Sequence, residues 1–208
     1  MLAANSDCAL EEALNFLSIA VFVIDSEHQV VWMNRHGRAL VESKNGLALI
    51  NGKLRGDTTT QTREIDEILD RTVSGWTQAD HGRLVLAHSI ARRSSSRPLR
   101  LVAKATSGGD RAECANGPLS IVYVGDDDSH SVVHPELLGP LFGLTPTEAR
   151  VAARVADGLS PDEVADELKL RTGTVRWHVK RIMARVEAGR QAELVHLVLS
   201  SPLGYLAI

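Results

Sequence analysis

A chain of 208 residues suits one medium domain or two small ones, and 44% apolar composition is enough to build packed cores, which excludes a chain disordered throughout. A formal net charge of -3 excludes a protein that coats nucleic acid through bulk positive charge, so any DNA binding has to come from a locally basic surface. The charge is uneven: residues 140–208 carry nine Lys or Arg against eight Asp or Glu, whereas the preceding residues carry fourteen against eighteen, which makes the smaller segment the better DNA candidate. Cys8 and Cys114 show neither CxxC nor Cys/His ligand spacing, so no disulfide framework and no metal site is expected. No basic stretch precedes the first apolar residues and no apolar run reaches ~18 residues; the expectation is a soluble, cytoplasmic protein with no membrane partner.

In chain order, Leu10, Leu14 and Leu17 fall at helical spacing and predict a short amphipathic helix over Asp7 to Ser18. Two β-rich runs, Ala20 to Asp25 and Val30 to Asn34, bracket a polar turn and predict a hairpin, after which Asn34 reads as the N-cap of a helix to about Lys44. Gly46 to Gly56 carries three glycines among alternating apolar residues. Thr58 to Val73 is a second helical pattern with Ile65, Ile68 and Leu69 on one side. Three β-rich runs follow, Arg83 to Ala91, Pro98 to Thr106 and Leu119 to Val124, the last two separated by a polar loop, Ser107 to Pro118. Strand, strand, helices and three strands predict an α+β domain with a mostly antiparallel sheet and helices on one side.

These runs resemble a PAS-type sensor domain over about residues 8 to 125. The reading is a PAS-like sensor or dimerisation domain over residues 1–125 and a solvated linker over 126–139, opening with the acidic run Asp126-Asp127-Asp128. His130 and His134 lie near those carboxylates without the spacing of a metal site.

From Leu144 the chain punctuates itself. Thr145-Pro146-Thr147-Glu148 is a capping box with proline at the tolerated first helical position, and Ser160-Pro161-Asp162-Glu163 repeats the device after Gly158, a left-handed helix stop. A third helix, about Thr172 to Glu187, places Val175, Val179, Ile182 and Val186 on one narrow stripe. Opposite stand Gly173, Trp177, Lys180, Arg181 and Ala184, with Arg176 on the flank. Residues 171–190 hold six Lys or Arg against the single acid Glu187. A basic face alone describes many solvated amphipathic helices. Two capped helices joined by a short turn, the later one basic, describe a helix-turn-helix whose second member enters the major groove, where Arg pairs with the O6 and N7 acceptors of guanine.

Leu144-Thr145-Pro146-Thr147-Glu148, Gly158 to Ala165, Leu168 and Thr174-Val175-Arg176-Trp177-His178-Val179-Lys180-Arg181-Ile182 closely resemble the LuxR/FixJ-type helix-turn-helix family. The resemblance implies an all-α four-helix DNA-binding domain over 140–208, with Arg176, Trp177 and Lys180 facing bases and Thr174, Arg181 and His178 near the backbone of double-stranded DNA. The chain departs from the family at Arg171, where a capping Ser is common, at Arg185, where Lys is common, and at Trp177, which replaces a smaller residue. The missing cap has to come from elsewhere, such as Thr172. A fourth helix over Gln191 to Leu199 serves either the core or a subunit interface.

The expected function is that of a homodimeric transcription regulator controlled by a small-molecule or protein signal at the PAS-like domain. That domain could instead be a dimerisation or interaction module without a ligand. An enzyme with a regulatory tail is the reading from another class, and it lacks a phosphate loop, a nucleophile elbow and HExxH; His81 and His88 near a strand read as structural or exposed. The residues leave the cofactor unknown: a flavin-photosensor cysteine motif is missing, since Cys114 lies in a loop, and haem stays open although no single His stands out.

Overall fold

The computed structural model describes residues 2–77, 84–95, 97–106, 118–126 and 133–205, with the side chains of residues 2–8 and 75–77 left aside. The expected positions His81, Arg83, Cys114, His130 and most of the loop after Thr106 lie outside the described residues. The chain forms two compact units, residues 1–129 and 130–208.

The first unit opens with helix α1 (Leu2–Asn15), which starts and ends earlier than the leucine spacing predicts. Strands β1 (Ala20–Ile24) and β2 (Val30–Met33) form the expected hairpin, and α2 (Arg35–Ser43) follows. Asn34 caps that helix, its Oδ1 accepting from Gly37 N at 2.8 Å, and it does three further things. The same oxygen accepts from Val21 N at 3.0 Å, and Nδ2 donates to the carbonyls of Leu14 at 3.1 Å and Ile19 at 2.9 Å. All four bonds come from a fully buried side chain, so Asn34 joins the end of α1, the start of β1 and the first turn of α2. Gly37 lets α2 close onto β1: a Cβ there would stand 3.1 Å from the Phe22 ring and 3.2 Å from the Val21 carbonyl.

The glycine-containing stretch folds as a second, separate hairpin, β3 (Leu47–Ile50) and β4 (Lys53–Gly56). Asn51 and Gly52 occupy its two-residue turn at φ 50° and 76°, the left-handed pair a twisted hairpin requires. Helix α3 (Thr59–Thr77) and strands β5 (Val85–Ile90), β6 (Leu99–Thr106) and β7 (Leu119–Gly125) complete the unit. The five-stranded sheet runs β2-β1-β7-β6-β5, every neighbour antiparallel. The α+β domain with one antiparallel sheet is therefore as expected. Phe22, Ile24, Leu101, Val122 and Val124 project from one face onto Leu40 and Val41 of α2 and Ile65 and Leu69 of α3, and this is the core.

The opposite face is unusually apolar. Pairing sets Trp32, Val23, Ile121, Lys104 and Val85 in one row across the sheet and Val21, Tyr123, Val102 and Ala87 in the next. Sheets with a solvated face normally alternate apolar and polar positions, yet here Val85 is 55% and Tyr123 36% exposed.

The second unit contains α4 (Pro135–Phe142), α5 (Pro146–Ala156), α6 (Pro161–Leu168), α7 (Thr172–Arg185) and α8 (Gln191–Ser200), ending in a 3-10 turn, Pro202–Gly204. The four expected helices are α5 to α8. Helix α4 falls in the stretch expected as linker, because Val133 and Leu138 are buried in one core with Val151, Val155, Val164, Val175, Ile182 and Leu194. No described helix is long and apolar enough to cross a membrane.

Candidate nucleic-acid interface

Both capping boxes form. Thr145 Oγ1 accepts from Glu148 N while Glu148 Oε2 accepts from Thr145 N at 3.0 Å, and Ser160 with Glu163 makes the same pair of bonds. Gly158 (φ 87°) turns the chain between α5 and α6, and Lys169 (φ 55°) turns it between α6 and α7. The turn is short because the Leu170 amide bonds back to the Ala165 carbonyl at 2.9 Å.

Helix α7 begins without a side-chain cap at Arg171. The expectation that Thr172 supplies one is corrected: its hydroxyl donates instead to Asp162 Oδ1 at 2.8 Å, tying the first turn of α7 to the first turn of α6. Val175, Val179 and Ile182 are buried as the stripe requires. Val186 is only half-buried, because the helix stops at Arg185 and Glu187 turns into the left-handed region at φ 58°.

On the outward side Arg176, Trp177, Lys180 and Arg181 are exposed together, Trp177 to 51%, while Thr174 and His178 are half-buried beside them. Arg176 and Lys180 make no ion pair with the described residues and are available to a ligand. The other cations are not equivalent, a distinction that periodicity misses. Arg185 donates to the Gly143 carbonyl, and Arg190 pairs with Glu193 at 3.1 Å. The Arg181 guanidinium lies over the Trp177 ring at 4.7 Å and its Nε is 3.5 Å from Glu148 Oε1. His178 meets the same indole edge-on at 5.0 Å between centroids, and its Nδ1 is buried without a partner.

Glu148 is thus more than a cap. Its carboxylate is 2% exposed, and its pKa is held below the usual glutamate value, first by the Thr145 backbone N–H, then by the Thr145 hydroxyl and the charges of Arg185 and Arg181, against the opposing effect of burial. No local sequence signal marks the Glu148–Arg181 or Asp162–Thr172 contact, since each joins two helices.

This arrangement defines a helix-turn-helix module with α6 and α7 as its pair. Residues 143–198 match the family described as bacterial regulatory proteins, luxR family, and this segment of the chain belongs to it. The transcriptional regulatory protein DesR of Bacillus subtilis (strain 168) is 35% identical over 65 residues, 29% of this chain; the chain spans only 33% of that relative's length. Among solved structures, a phage VqmA–DPO complex covers 98% of this chain and 92% of its own at 17% identity and a TM-score of 0.41. A Vibrio cholerae VqmA dimer described in the absence of target DNA covers 90% and 85% at 13% identity and 0.34.

Proposed function

We propose that the chain is a sequence-specific, double-stranded-DNA-binding transcription regulator of the cytoplasm that acts as a homodimer and catalyses no reaction. The observation that carries this reading is the outward face of α7, where Arg176, Trp177 and Lys180 stand exposed together on a helix whose other side is locked into its own core. In this reading those three face bases in the major groove, and Thr174, Arg181 and His178 lie along the phosphate backbone. One recognition helix reads too few base pairs for operator-level specificity, and a two-fold dimer on paired half-sites supplies the remainder.

The first unit is proposed to receive the signal. A cavity of about 140 Å³ lies between α2 and the sheet, lined by Ser18, His36, Ser43 and Asp126 among apolar neighbours. The buried Arg92 guanidinium holds Asp126 at 2.8 Å, immediately after β7. A second reading, in which this unit only dimerises, is favoured by the apolar outward face of its sheet.

Selection of duplexes from a random pool by the full chain tests the proposal. Enrichment of a two-fold symmetric motif, with retention that weakens as salt rises, is expected; failure to retain any duplex at low salt refutes it.

A further inference from the structure

We infer that Trp177 and Glu148 are positioning residues that hold Arg181 as a preformed phosphate-backbone contact, so that the indole acts on DNA through Arg181. The inference rests on the DNA-binding reading and refines it at one position, giving the Trp177 indole the support of Arg181 in place of a base contact of its own. A guanidinium within about 6 Å of an indole centroid is attracted by the ring quadrupole, and Arg181 sits at 4.7 Å. Residues four apart on a helix face one another, so the stack belongs to α7 itself. Glu148 reaches it from a different helix, its Oε1 3.5 Å from Arg181 Nε. Glu148 in turn cannot wander, because Oε2 is fixed by the Thr145 backbone N–H at 3.0 Å and hydroxyl at 2.9 Å.

The chemistry of the guanidinium makes this a docking geometry and not a sink for its charge. Arg has five N–H donors in a planar fork. The 3.5 Å approach to Glu148 involves Nε, the indole is met at 4.7 Å from Cζ, and the Nη donors at the far end of the fork make no hydrogen bond with a described residue. Arg181 remains 49% exposed. A free Arg side chain carries rotamer entropy that has to be given up on binding a phosphate. Clamped between Trp177 and Glu148, Arg181 has given up part of it before DNA arrives. Arg176 and Lys180, without such partners, have not.

The salt dependence of binding separates this from direct base reading by the indole. Each phosphate neutralised contributes about -0.9 to the slope of log affinity against log salt on duplex DNA. The full chain is titrated with a fluorescent mixed-sequence duplex between about 50 and 200 mM salt. Arg181→Ala is expected to make the slope shallower by about 0.9. Trp177→Ala is expected to move it the same way and to weaken binding by about 2- to 30-fold, and the double variant to be no shallower than Arg181→Ala alone. Trp177→Phe, which keeps an aromatic face, restores most of the slope. Glu148→Gln keeps the capping box and loses the charge, and it shifts the slope toward that of Arg181→Ala. Independently of DNA, the Arg181 side-chain protons show an upfield ring-current shift that Trp177→Ala abolishes and Trp177→Phe retains. Slope losses that simply add in the double variant, or an unchanged slope in Trp177→Ala, overturn the inference while leaving DNA binding intact. No salt-sensitive binding by the unmodified chain overturns the DNA-binding reading and this inference together.

Discussion

The Thr172 hydroxyl donates to the Asp162 carboxylate at 2.8 Å and so links the opening turns of α6 and α7, the two helices whose mutual angle defines a helix-turn-helix. The bond is exposed, which places its net contribution toward the low end of about 0.5–1.5 kcal/mol. Thr172→Val is expected to destabilise the second unit by that amount in urea. Asp162→Ala should cost a similar amount, and the double variant little more than either, because both remove one shared interaction. Fully additive losses in the double-mutant cycle would show that the two residues act separately.

Asn34 is the corresponding tie in the first unit. Asn34→Ala strips the Asn34 bond from the Val21 N–H and the Ile19 carbonyl, leaves the Leu14 carbonyl with its 3.3 Å bond from Leu17 N, and removes the α2 cap. An unsatisfied buried group costs about 1–3 kcal/mol, so a loss of at least about 3 kcal/mol is expected. Asn34→Asp keeps both acceptor bonds and loses both donor bonds, and should fall between. Chemical denaturation followed by far-ultraviolet circular dichroism checks the order; equal stability of the alanine and aspartate variants would assign the whole effect to the donor side.

How much of this was legible in the sequence follows from how local each interaction is. The two capping boxes and the Asn34 cap span four residues each, and their residue types carry the geometry. The Asn51-Gly52 turn is equally local, but alternation over Gly46 to Gly56 does not by itself distinguish a hairpin from a loop. Helix α4 was hidden because Pro140 inside it argues against a helix. In eight residues the proline removes one bond, and burial of Leu138, with Leu137 and Phe142 packed against the same core, opposes that loss. Arg181 with Glu148 and Arg92 with Asp126 join positions distant in sequence, and no pattern of residue types announces them. The outward basic face of α7 was therefore readable as a set, whereas the difference between free Arg176 and Lys180 and tethered Arg181 and Arg185 was not.

Acid should weaken the two units over different pH ranges. Burial, and secondarily the Arg35 charge, lowers the His36 pKa, so below about 6.5 the unfolded chain takes up a proton before the folded one does and the first unit loses stability as pH falls. Glu148 is held low chiefly by the Thr145 backbone N–H and Glu163 chiefly by the Ser160 hydroxyl. Their contribution is complete above the unfolded glutamate value of about 4.3 and is lost as pH falls through the folded values beneath it. Amide exchange measured across a pH series should show protection declining in the first unit before the second. His36→Gln should flatten only the upper phase, and a simultaneous decline in both units would contradict these assignments.

Self-association is expected through the first unit. Val85 and Tyr123 are exposed on a mostly apolar sheet face that Lys104 interrupts, where added negative charge is tolerated in a monomer but not in a desolvated interface. Sedimentation at tens of micromolar is expected to show a dimer, and Val85→Glu with Tyr123→Glu a monomer of nearly unchanged melting temperature. A monomeric parent chain, with or without DNA, refutes the dimer; a dimeric double variant moves the interface elsewhere.

Base reading is expected to fall to Arg176 and Lys180, for a reason that the ion pairs supply. A side chain can discriminate bases only if its donors are unspent, and within α7 Arg185 spends an Nη donor on the Gly143 carbonyl, while Arg190 lies beyond the helix and pairs through Nε with Glu193. Arg176 and Lys180 lie on the exposed face with no such partner. Replacing either with Ala should cost about 1–3 kcal/mol on a selected duplex and broaden the preferred sequence where that side chain reads. On a mixed-sequence duplex the same variants should lose far less, because the discrimination is then absent from the reference. Arg190→Ala serves as the internal control, since Arg190 lies beyond the end of α7; it should leave the sequence preference unchanged. Selected motifs that stay identical in Arg176→Ala and Lys180→Ala, with affinity falling equally on every duplex, would reduce both residues to phosphate contacts and remove sequence reading from this face of α7.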